Sequence, residues 1–125
     1  MSARVVVADD TAHVRRMLVQ MLELDGFSIV GEASDGYEVV RVADEVAPDV
    51  VVMDYMMPKL DGLAAARRLR ELRPGQHIIL YSAFLDAGVE REARAAGIAL
   101  CLGKVEGLWQ LERHIRAVMA DIGIS

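Results

Sequence analysis

At 125 residues the chain is sized for one domain with a core of its own. It is 54% apolar and 26% charged, ordinary proportions for a folded domain, and its formal net charge of −5 argues against gripping nucleic acid through a bulk positive field. Cys101 is the sole cysteine, which excludes an internal disulfide, and no apolar run approaches membrane-spanning length.

The first apolar run is Arg4–Ala8, and Asp9 and Asp10 follow it where a signal peptide would still need apolar residues. A cytoplasmic protein is therefore expected. In Ala12–Leu24 the apolar positions Val14, Met17, Leu18, Met21 and Leu22 recur at helical spacing, and Gly26 ends the helix. A second run, Ser28–Val30, continues to Ala33. Asp35-Gly36 then reads as a turn and helix start, and Tyr37–Ala47 carries Val39, Val42, Ala43 and Val46 on one side before Pro48. The third run, Asp49–Met53, closes on Asp54. Pro58 delays the next helix, so Asp61 rather than Asp54 is the expected cap of Leu63–Leu72, whose large apolar residues include Leu69 and Leu72. The remaining pairs are His77–Tyr81 with the weakly patterned Ala87–Ala96, and Ile98–Leu102 with Leu108–Ile122.

Unbroken Val/Ile/Leu runs of this length suit parallel strands covered on both faces, and alternation with helices predicts an α/β sheet wound with right-handed crossovers. The order of the strands does not follow from these patterns. No internal repeat, linker or low-complexity stretch interrupts the series, so residues 1–125 read as a single domain.

Ligands of such sheets bind beyond the carboxyl ends of the strands. Asp9 and Asp10, Asp54, Ser82 and Lys104 all stand at such ends. Taken singly, Asp10 reads as a helix cap, Ser82 as a strand-end hydroxyl and Lys104 as a solvated lysine. Together they form a constellation that chance placement would seldom produce. Three neighbouring carboxylates repel unless protonated or joined by a cation, and an all-oxygen set with room for waters suits Mg²⁺. A carboxylate beside such a cation can attack phosphorus, with a lysine, a hydroxyl and backbone N–H groups such as that of Ala83 taking up the charge of the phosphoryl oxygens.

"VVVADD", "DYMMPKLDG", "LYSA" and "LGK", in this order and spacing, resemble the receiver domain of two-component response regulators, including the chemotaxis receivers, over essentially the whole chain. The resemblance implies a (βα)5 flavodoxin-like doubly wound fold with strand order 2-1-3-4-5. It implies Asp54 as phosphoacceptor. Asp10 and Asp54 would ligate Mg²⁺ directly, Asp9 through a water, and Met56 through its backbone carbonyl. Ser82 and Lys104 would contact the phosphoryl group. Met56 and Phe84 would flank the path of a hydrolytic water. The implied partners are a sensor histidine kinase or phosphotransfer protein upstream, and an output domain, an effector protein or a second copy downstream. Such a chain catalyses its own phosphotransfer and is not a turnover enzyme. The stretch "VGEASDGYEVV" further resembles receivers that carry a helix-turn-helix output domain, which is not expected within these residues, and neither nucleic acid nor membrane is an expected partner of the domain itself.

Two positions depart from the family pattern. Val105 stands where receivers usually have proline after the lysine, which predicts a trans Lys104–Val105 bond and a reshaped loop over residues 103–107. Cys101 stands where they usually have Tyr or Phe. These departures keep open a receiver that binds partners without being phosphorylated. A phosphohydrolase of the haloacid dehalogenase type would need an aspartate where Met56 stands, and a flavodoxin-like cofactor carrier would need a Ser/Thr-rich phosphate loop where "ADDT" stands. His13 reads as a solvated helix residue. Trp109, one position off the last apolar stripe, is a candidate docking aromatic together with Phe84 and Leu85.

Overall fold

In the computed structural model, residues 2–83, 86–98, 100–103 and 110–121 are described. The elements alternate: β1 (Arg4–Ala8), α1 (Ala12–Leu24), β2 (Ser28–Ala33), α2 (Gly36–Val46), β3 (Val50–Asp54), α3 (Gly62–Leu72), β4 (His77–Ser82), α4 (Ala87–Ala95), β5 (Leu100–Gly103) and α5 (Leu111–Asp121). All strand pairs are parallel, in the order β2-β1-β3-β4-β5. This is the flavodoxin-like (βα)5 arrangement.

Successive strand residues point to opposite faces, so each continuous apolar run feeds two cores. Val6, Val51, Met53, Ile78 and Leu80 pack with Val39 and Ala43 of α2 and Leu63, Ala66 and Leu69 of α3. Val5, Val7, Val52, Ile79 and Tyr81 pack on the other face with Leu18 and Leu22 of α1 and Ile115 and Val118 of α5. The buried stripe of α1 is narrower than its periodicity suggests: Met17 is 53% exposed. On α3 the buried face is made largely by Leu63, Ala65, Ala66 and Leu69, and Leu72 points to solvent.

Expected and observed bounds agree within two residues for the first four strands and for α1 to α4. β5 begins later than Ile98 for a local reason. The Gly97 N–H bonds Arg94 O at 3.1 Å and the Ile98 N–H bonds Ala93 O at 3.0 Å, with Gly97 at φ +78°. Ile98 is thus committed to closing α4 in a Schellman turn before the ladder starts at Leu100. Residues 108, 109 and 122, expected in the last helix, lie outside the described residues. Among the described residues, no helix is long and apolar enough to cross a membrane.

Strand register decides what meets at the carboxyl edge. Ala8 pairs with Ala33 and with Met53, Asp54 with Tyr81, and Ser82 with Gly103. The residues just beyond Ala8, and those at Asp54 and Ser82, are thereby brought to one rim of the sheet.

Candidate functional site

Three carboxylates converge at that rim. One oxygen from each of Asp9, Asp10 and Asp54 lies within 4.8 Å of the others, and among the described residues this is the one such acidic, histidine or cysteine group. Asp9 and Asp54 are buried and Asp10 is exposed. Asp10 does not cap α1. Thr11 holds the cap position and makes no side-chain cap bond, so the Asp10 carboxylate is left facing the cluster. The fit to a hard divalent cation rests on this donor set, in which every side-chain ligand atom is a carboxylate oxygen and Asp10 is exposed.

Asp9 is held from several directions. Its Oδ1 accepts the Thr11 N–H at 2.8 Å, its Oδ2 accepts the Tyr81 hydroxyl at 2.7 Å, and its backbone carbonyl accepts Arg15 Nη1 at 2.7 Å. The Arg15 guanidinium also reaches Glu32 at 3.2 Å. Burial pushes the Tyr81 phenol far above its ordinary range, and the Asp9 charge, the bond to Asp9 and the charges of Asp54 and Asp10 push the same way. The phenol therefore stays protonated and donates.

Asp54 ends β3, and its Oδ1 accepts the Met56 N–H at 3.2 Å. The ladder continues one step beyond it, Tyr55 N–H to Tyr81 O at 2.8 Å. The chain then turns back, with the Gly62 N–H bonding Tyr55 O at 2.8 Å. A Cβ on Gly62 would lie 2.6 Å from Asp54 O and 2.7 Å from a Leu80 methyl, so any side chain here would push α3 off the end of β3. Asp61 caps α3 as expected, accepting the Ala64 N–H at 2.9 Å. Asp54 is thus freed from capping and delivered to the rim. The Met56 side chain is 63% exposed beside it.

Ser82 ends β4, is buried, and pairs with Gly103 of β5. Lys104 is the next residue after Gly103 and lies outside the described residues, as do Val105, Phe84, Leu85 and Trp109. Cys101 is half-buried on β5, and burial, with the Glu90 charge, pushes its thiol up from 9.0. Sequence reading brought together Asp9, Asp10, Asp54 and Ser82 but missed Tyr81. The signal was present in "HIILYS": a phenol in an otherwise apolar strand needs a partner for its hydroxyl once buried.

A family model for the response regulator receiver domain matches residues 5–116. The chain is 41% identical over 101 residues to the transcriptional regulatory protein PdtaR of Mycobacterium tuberculosis, covering 81% of this chain and 49% of that protein. It is 36% identical over 97 residues to the chemotaxis protein CheY of Thermotoga maritima, covering 78% of this chain and 81% of that one. Among solved structures, a two-component response regulator of the LuxR family from Aurantimonas sp. superposes with a TM-score of 0.92 at 29% identity, covering 97% of this chain and 87% of that one. The chain spans about half the length of the mycobacterial relative, 49%.

Proposed function

The chain belongs to the response regulator receiver family, and from that premise we propose that it is a phosphorylation-activated switch whose phosphoacceptor is Asp54. The observation that carries this reading is the convergence of Asp9, Asp10 and Asp54 within 4.8 Å on the rim that Ser82 also reaches. A carboxylate oxygen of Asp54 attacks phosphorus, forming a P–O bond as the P–N bond of a donor phosphohistidine breaks, with the electron pair leaving on nitrogen. Mg²⁺, when bound, neutralises the clustered carboxylates and draws charge from a phosphoryl oxygen. Asp10 and Asp54 would hold it directly, with the Met56 carbonyl and, through a water, Asp9. The Ser82 hydroxyl, the Ala83 N–H and the Lys104 ammonium are the donors for the phosphoryl oxygens.

A donor histidine kinase or phosphotransfer protein and a downstream output domain, effector or second copy complete the reading, in the cytoplasm. The phosphoryl group resides on the chain itself, so no external substrate is turned over. The intact carboxylate cluster favours this over a receiver that works without phosphorylation. Intact-mass measurement after Mg²⁺ and acetyl phosphate tests it. One phosphoryl adduct is expected on the wild type and none on Asp54→Asn or in EDTA. An adduct that persists in Asp54→Asn, or no adduct on the wild type, overturns the assignment.

A further inference from the structure

Tyr81 is fully buried on the face of β4 that packs against α1 and α5. Phenylalanine would fill the same space, so packing gives no reason for the hydroxyl, and a buried hydroxyl is costly unless it is bonded. β3 lies between β4 and β1, so two strand spacings, about 9–10 Å, separate the Tyr81 and Asp9 backbones. The phenol and the Asp9 side chain together cover that gap, and the phenol oxygen arrives 2.7 Å from Asp9 Oδ2. It also lies 3.2 Å from Ala8 O, but the shorter contact, to a charged acceptor, takes the proton.

The consequence is a carboxylate fixed at both oxygens, Oδ1 by the Thr11 N–H and Oδ2 by the Tyr81 O–H. A carboxylate oxygen can accept more than one contact, so these two bonds set its direction without themselves excluding a cation or its water. The bond also ties the end of β1, where Asp9 and Asp10 stand, to the β4 residue that precedes Ser82. We propose that Tyr81 is a positioning residue of the cation site, locking the Asp9 carboxylate in the orientation that receives a hydrated Mg²⁺. This rests on the reading of the cluster as a Mg²⁺ site. Groups that orient metal ligands in this way typically change affinity by an order of magnitude or more when removed.

The test is Tyr81→Phe, which keeps the ring and removes the bond. Mg²⁺ is titrated into wild type and variant, followed by amide NMR shifts well below both melting temperatures. In parallel, acetyl phosphate labelling is measured across Mg²⁺ concentrations. The expected result is a Mg²⁺ midpoint about tenfold weaker in the variant, with the labelling rate at saturating Mg²⁺ within about twofold of wild type. A merely structural hydroxyl would lower the melting temperature and leave the Mg²⁺ midpoint in place. A midpoint unchanged within about twofold, or shifted tighter, overturns the role of Tyr81 while leaving the Mg²⁺ site standing. A wild type that takes up no Mg²⁺ overturns both. Should the variant melt too low to titrate, variant and wild type are both titrated in a stabilising osmolyte. A weaker variant Mg²⁺ midpoint there supports the role, and an equal one overturns it.

Discussion

A Cβ placed on Gly36 would run into the carbonyl oxygen of Leu60, so the first turn of α2 lies directly against the loop that follows Asp54. The same loop carries Lys59 at φ +68°, a left-handed backbone that costs a non-glycine residue about 1 kcal/mol. The Lys59 ammonium lies 3.6 Å from Asp35 Oδ2, the cap of α2. That ion pair is largely exposed at the lysine and contributes little; the steric fit is the firmer constraint. The loop that presents Asp54 and Met56 is thus shaped in part by α2.

Gly36→Ala should therefore destabilise the fold by about 1–3 kcal/mol, the usual cost of forcing atoms into a packed contact. Gly75→Ala is the control. Nothing lies within 4 Å of its added Cβ, so it should be neutral or slightly stabilising. Urea unfolding of both variants decides it, and equal midpoints would contradict the contact.

Asp35 makes stability depend on acid in a defined direction. The Glu38 N–H holds its carboxyl below the ordinary 3.8; partial burial opposes this, and the Lys59 charge and the Tyr37 N–H assist. The unfolded chain thus takes up the proton first as pH falls. The contribution of Asp35 is complete above 3.8 and declines as pH drops through that value toward the lower folded one. Asp35→Asn keeps a capping oxygen and removes the titration. The stability difference between wild type and variant should be flat above about pH 5 and shrink below about pH 4. A difference constant down to about pH 3 would show that Asp35 titrates alike in both states.

The residues at strand ends were readable because the unbroken apolar runs mark where each strand stops. Asp9, Asp10, Asp54 and Ser82 each follow or close such a run. Tyr81 was not readable as a partner of Asp9, because valine and isoleucine runs carry no strand order, and the order that the family resemblance implies does not say that a side chain on β4 reaches across β3 to the end of β1. Met17 looked buried because helical spacing gives the direction of an apolar face but not its width. Ile98 looked like a strand start because its hydrophobicity serves a helix end equally well.

Cys101 offers a probe of the face made by α4, β5 and α5; because it stands where receivers usually have Tyr or Phe, any signal passing through this face would do so without an aromatic swing at this position. It pairs with Leu80 and packs partly against the core under α4. Its thiol is pushed up from 9.0 by burial first and then by Glu90, so little thiolate exists at neutral pH. Iodoacetamide should modify it more slowly than a free thiol. Phosphorylation of Asp54 should change that rate severalfold if α4 shifts. Identical rates in phosphorylated wild type and in Asp54→Asn would place the output surface elsewhere.

If Asp54 carries the phosphoryl group, its lifetime should depend on the access of water to Asp54. A hydrolytic water must approach phosphorus opposite the bond to Asp54 Oδ, from the open side of the rim. Met56 is the residue that the family resemblance puts on this path; its N–H is bonded to Asp54 Oδ1 at 3.2 Å and it is 63% exposed. A thioether excludes water without orienting it, whereas an amide can hold a water for attack, one part of what general-base catalysis supplies. Wild type should therefore dephosphorylate slowly, and Met56→Asn should shorten the lifetime by about threefold to tenfold, a small share of a full general-base effect. Phe84, the second expected flank, lies outside the described residues, and Phe84→Glu combined with Met56→Asn extends the test. Decay of phospho-Asp54 is followed after donor removal at saturating Mg²⁺, so that cation affinity does not enter. If the double variant decays no faster than wild type, apolar shielding at Met56 does not govern the lifetime, and the rate is set by the donors that hold the phosphoryl oxygens.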